Sequence, residues 1–156
     1  KMWVKVTVDR VVCTMADDEG AGNDPDMDRF KVWANAFDRI GPSDEPGVQI
    51  NPVDQAIWNW STSGEWTVGV GGYKNVGQSI YLAFDATDYD FDSARLKLNA
   101  HARDYDTTSA DEWGYGNTTI YGADFLENDG EHVFEVSCSD FGFDIEITLS
   151  QSGRWN

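Results

Sequence analysis

The sequence predicts an all-β protein, an eight-stranded antiparallel β-sandwich. Three observations carry that expectation. Polar and apolar residues alternate with a period of two along most of the chain. Helical patterning with a period of 3.6 is almost absent. Fifteen Gly, together with many Asp and Asn, interrupt the alternating runs as turns do.

The strands follow in order. The first spans about residues 3–12, where Trp3, Lys5 and Thr7 oppose Val4, Val6 and Val8. The second is expected at about 29–37. A third, at about 65–70, turns Trp66, Val68 and Val70 to one face. The fourth covers about 79–84. The fifth, at about 95–104, is the clearest, with Leu96, Leu98, Ala100 and Ala102 on one face and the charged residues on the other. The last three are expected at about 117–122, 131–138 and 142–149. Between Gly41 and Ser63 stand three of the four prolines and then Ile57-Trp58-Asn59-Trp60, read as a long loop with one more strand.

No repeat, linker or low-complexity tail divides the chain, and 156 residues suit one domain, 1–156. No apolar run approaches the ~20 residues of a membrane helix. The chain opens on Lys1-Met2-Trp3-Val4, already strand-like, so we expect a module excised from a larger, secreted or extracellular protein. Cys13 and Cys138 are the only cysteines and read equally as two buried thiols or one disulfide.

With 28 acids against 11 Lys plus Arg, the formal charge is −17. A surface this acidic repels a bare phosphate backbone, which excludes nucleic acid as a direct partner. It equally repels an anionic membrane unless something cationic comes between.

The acids are clustered. One group runs from Asp17 to Asp28, a second from Asp104 to Glu112, and a third comprises Asp85, Asp88, Asp90 and Asp92. Like charges this dense must be solvated or neutralised, and nearby Lys and Arg are too few. Hard divalent cations take six to eight oxygen ligands, so calcium is the natural counter-ion. Asp104 and Asp106, two apart in extended backbone, point to the same side. Acid-rich loops that merely keep a protein soluble explain the net charge but not its concentration at strand ends. Both D-x-D-x-D runs, 24–28 and 88–92, fail as EF-hand loops. Arg29 or Ser93 replaces the turn glycine, and Asn35 or Asn99 the bidentate Glu.

Asp18-Glu19-Gly20-Ala21-Gly22-Asn23-Asp24-Pro25, followed by Phe30-Lys31-Val32, resembles the first calcium loop of C2 domains. The alternating run from Leu96 to Asp104-Tyr105-Asp106, with Asp111, Glu112 and Gly114 after it, resembles the third. Asp26-Met27-Asp28 intrudes after the first loop, and the Lys-rich strand that many members use for phosphoinositides is missing. The resemblance implies a C2-like sandwich in which Asp18, Asp24, Asp104, Asp106 and Asp111 or Glu112 hold two or three calcium ions, with Asp17 and Asp28 in reserve. It further implies a non-catalytic module that targets its host to an anionic membrane or a protein surface.

Other residues suggest an alternative, a calcium-stabilised carbohydrate-binding module of a secreted enzyme. Trp58 and Trp60 share a face in extended backbone and could stack on sugar. Trp113 and Tyr115 beside the third loop could anchor in lipid or contact a ligand, or pack as core. Catalysis has little support. His101 and His132 belong to no recognisable triad or zinc motif, and with so many carboxylates any glycosidase pair can be drawn.

Overall fold

The computed structural model describes residues 2–38, 48–49, 55–84, 94–107, 109–125 and 129–154. The acids at 85, 88, 90 and 92 and most of the proline-rich segment lie outside them. Among the described residues nine strands form: β1 (Met2–Ala16), β2 (Asp26–Asp38), β3 (Val48–Gln49), β4 (Gln55–Thr67), β5 (Tyr73–Phe84), β6 (Arg95–Asp104), β7 (Glu112–Tyr121), β8 (Gly130–Ser137) and β9 (Phe141–Arg154). One helical turn, α1 (Gly122–Phe125), follows β7. Apart from the two-residue β3 there are eight strands, as the sandwich requires, and every pairing among the described residues is antiparallel. β4 runs through the segment read as a loop with one more strand and overlaps the expected 65–70 strand only at its end.

One layer orders as β4–β2–β6–β7, with β3 also on β2, and the other as β8–β9–β1–β5. Among the described residues a single ladder pair, Tyr115 with Ser137, joins them along one seam. Alternation drives the inner residues of both layers into one core. Val4, Val6, Val8 and Val11 of β1 and Ile145, Ile147 and Leu149 of β9 face Phe30, Val32, Leu96 and Leu98 of the other layer, all essentially inaccessible. Each such side chain contributes roughly 1.5–3 kcal/mol by leaving water. Phe30 anchors an aromatic cluster, stacked on Trp58 at 5.4 Å and edge-on to Phe143 at 5.1 Å.

Several boundaries differ from those expected. Val68 and Val70 are not strand. Gly69 accepts the Gly72 N–H, and Gly71 has φ of +89°, so the chain reverses there and leaves Val70 exposed. β5 starts at Tyr73, with Gly77 at φ +66° absorbed inside it. β7 starts at Glu112, so Trp113 and Tyr115 stand on a strand rather than a loop tip. Its glycines mark close approach, not a turn. A Cβ on Gly114 would meet the Phe141 ring at 2.7 Å, and one on Gly116 would meet the Glu135 carbonyl oxygen at 1.8 Å. Trp58 is buried between Phe30 and Trp60, and Lys74 lies over the rings of Trp60 and Trp66 at 4.9 and 4.8 Å. That packing fills the face expected for sugar. Cys13 and Cys138 are free thiols whose pKa values burial pushes up. Among the described residues no helix is long and apolar enough to cross a membrane.

Candidate metal centre

Because successive strands alternate direction, four connections meet at one end of the sandwich. They are residues 17–25, the 68–72 turn, 105–111, and the short hairpin Cys138-Ser139-Asp140. β6 leads into this end. Its buried face reads Leu96, Leu98, Ala100, Ala102 and then Asp104, so the alternation that builds the core finishes on a fully buried carboxylate.

Four carboxylates converge there. One oxygen each of Asp18, Asp104, Glu112 and Asp140 lie within 4.8 Å of one another. Asp18 also belongs to a second, more exposed group with Glu19 and Asp106 under the same 4.8 Å limit. Backbone bonds set these positions. Asp17 donates its N–H to the Asp140 carbonyl at 2.9 Å, tying the first loop to the β8–β9 hairpin. Asp26 donates its N–H to Asp104 Oδ1 at 2.9 Å, and Tyr105 donates to the Asp26 carbonyl at 2.8 Å. Glu19 sits in left-handed backbone at φ +56°, a strained conformation for a side-chain-bearing residue, and accepts the Ser109 hydroxyl at 2.8 Å.

The oxygens facing inward are left over. Among the described residues six buried side-chain polar atoms lack a hydrogen-bond partner, and four are Asp18 Oδ1, Asp104 Oδ2, Asp106 Oδ2 and Glu112 Oε2. An acceptor-only atom buried beside others of its kind needs a donated hydrogen, a shared proton or a cation. Without a cation, protons must serve. Burial, then the charges of Asp18 and Asp106, outweigh the Asp26 N–H and push Asp104 up to about 7. Burial, then a shared proton with Asp106 and the surrounding charges, push Glu112 up to about 8. Asp18 is raised as well, chiefly by burial. Hard oxygen donors, several of them carboxylate, fit calcium.

The sequence-derived ligands divide. Asp18, Asp104, Asp106 and Glu112 come together. Asp24 lies outside both groups, its carboxylate 3.0 Å from where a Cβ on Gly69 would stand. Asp17 folds back to accept the Gly22 N–H at 2.8 Å. Asp28 is held by Arg103, and Asp111 accepts the Asp106 N–H at 3.0 Å while its other oxygen lies 3.6 Å from Arg103. Asp140 was not expected, being a lone acid in a short turn. The signal that could have found it is strand direction, which sends the 138–140 hairpin to the same end as 105–111. Glu19 was visible only as one acid among many.

No family model matches the chain, and no curated protein matches it in sequence. Among solved structures it is similar to a C2 domain, domain A, of a plant extended synaptotagmin 1. The two share 12% identity over 99% of this chain and 97% of that one, with a TM-score of 0.46.

Proposed function

We propose that this chain is a non-catalytic calcium-binding module that brings its host protein to an anionic membrane or protein surface. The observation supporting it is the set of partnerless carboxylate oxygens on Asp18, Asp104, Asp106 and Glu112. Asp18, Asp104, Glu112 and Asp140 would hold one ion, and Glu19 and Asp106 with Asp18 a second. Calcium supplies charge neutralisation there. The chain's own residues position the loops: Asp26 fixes Asp104, Ser109 links the third loop to the first, and Arg103 holds Asp28. Once the charge is neutralised, a phosphate or carboxylate of a partner surface can complete the coordination. The ions then act as the cationic intermediary that a chain of charge −17 requires.

Calcium should raise the melting temperature relative to EDTA, since a ligand of the folded state alone stabilises by mass action. Asp104→Asn and Asp140→Asn should each cut that shift, whereas Asp24→Asn should leave it. Calcium should also make the protein sediment with anionic vesicles. No thermal shift in calcium would sink the metal reading, and a shift without sedimentation would sink the membrane part.

A further inference from the structure

The outer face of the β2–β6–β7 layer has the opposite charge to the rest of the chain. Register places Arg29 beside Arg103, Lys31 beside His101 and Asn35 beside Lys97. On the other flank of β6, His101, Asn99 and Lys97 oppose Tyr115, Asn117 and Thr119. No Asp or Glu stands at any of these positions, in a chain with 28 acids. Only Arg29 and Arg103 set two cations directly side by side; Lys31 and Lys97 stand further along the same face.

Arg103 is neutralised by Asp28. Among the described residues, however, Arg29 and Lys97 form no ion pair, and the Lys31 ammonium rests only on the Trp33 ring, 5.0 Å from its centroid. Between the cations lie neutral hydrogen-bonding groups. Asn99 Nδ2 is a buried donor without a partner. Burial, then the charges of Lys31 and Arg29, hold the His101 imidazole below its usual range, so near neutral pH it offers one donor and one acceptor. Tyr115, 65% exposed, leaves its ring open beside them.

Spacing narrows the ligand. Arg29 and Lys31 are about 7 Å apart along β2, and Lys97 lies four register steps beyond Lys31, roughly 13 Å away. At physiological salt the Debye length is about 8 Å, so a ligand in contact senses this face rather than the net charge. Three separated cations with amides and an open ring between them match a chain whose anions are spaced by hydroxyl-bearing rings. They match poorly the dense phosphates of nucleic acid or the apolar interior of a bilayer. We propose that this face binds an acidic polysaccharide of the uronate class laid along β6. Its carboxylates would meet Arg29, Lys31 and Lys97, and its hydroxyls His101 and the exposed Asn117.

The face lies apart from the carboxylate cluster, so the test is made in EDTA, where failure of the calcium reading has no bearing on it. Calorimetric titration with oligogalacturonate at low salt should show binding that weakens as salt rises, and a neutral maltooligosaccharide should not bind. The double variant Lys31→Gln/Lys97→Gln should lower affinity roughly tenfold or more, and Tyr115→Ala several-fold, by removing charge-assisted bonds and a stacking ring. Melting temperatures of these variants should match wild type. Absence of binding in EDTA overturns the proposal, as does binding that the double variant leaves unchanged. Capture by phosphoinositide vesicles without any affinity for oligogalacturonate also overturns it.

Discussion

Arg103 grips Asp28 with both arms of its guanidinium, Nε on Oδ1 at 2.9 Å and Nη2 on Oδ2, while Nη1 lies 3.6 Å from Asp111 Oδ2. Two acids that the sequence offers to a metal, one on β2 and one in the third loop, are thus engaged by a cation the chain carries itself. The pair is largely withdrawn from water, the side chains being 17% and 8% exposed. The same arginine stacks on Tyr105 and Trp113.

Arg103→Gln should therefore cost about 3 kcal/mol, because it leaves Asp28 buried without its counter-charge. For a domain of this size that is roughly a 6–12 °C fall in melting temperature. Urea unfolding in EDTA checks the loss. Calcium should recover more stability in the variant than in wild type, since Asp28 and Asp111 become free to ligate. Stability equal to wild type in EDTA would show that the ion pair contributes nothing net.

A second expectation concerns pH. The folded-state pKa values of Asp104, about 7, and Glu112, about 8, stand above those of the unfolded chain, and Asp18 is raised too. The folded protein therefore holds more protons. In EDTA the associated stability is fully present below about pH 4, the ordinary carboxylate range, and is lost as pH rises through 7 and 8. Thermal melts in EDTA should show a lower transition at pH 9 than at pH 6. Calcium competes with those protons, so its stabilisation should be larger at pH 9. Equal EDTA melts at the two pH values would contradict the shared-proton account.

A third expectation tests the seam. Gly116→Ala places a methyl group where the Glu135 carbonyl oxygen already stands, 1.8 Å from the new Cβ. Backbone cannot yield as a flexible side chain can, so the loss should reach or exceed the ~3 kcal/mol of severe overpacking. Urea unfolding, or the soluble yield if the variant fails to fold, gives the readout. Gly20→Ala, with open space around the new methyl but φ at +71°, should cost only about 1–2 kcal/mol.

The sheet layers were legible wherever alternation ran unbroken. β6 matched its expected range because its ten residues alternate without a bulge, and Asp104 could be placed by counting along that face. β5 and β7 were read short because Gly77, Gly114 and Gly116 look like turn residues. In the fold, one is absorbed within a strand and two admit β8 and Phe141. Local spacing likewise put Asp104 and Asp106 on one side, and the C2 resemblance added Asp111 or Glu112, of which Glu112 joins the cluster. It did not show that Asp24 turns toward Gly69, that Arg103 occupies Asp28, or that Asp140 arrives from the opposite layer. Those are long-range relationships, fixed by which loops meet and not by any interval in the chain.

Among the described residues the strand ladders of the two layers meet at one pair, Tyr115 with Ser137. The acids at the end of the molecule span that same division. Asp18 and Asp140 hang from the β8–β9–β1 side, and Asp104, Asp106 and Glu112 from β6 and β7. Their repulsion is therefore a wedge driven between the sheets, and whatever neutralises it is a rivet. Protons or a cation on those oxygens remove a repulsion that acts across the division between the two sheets.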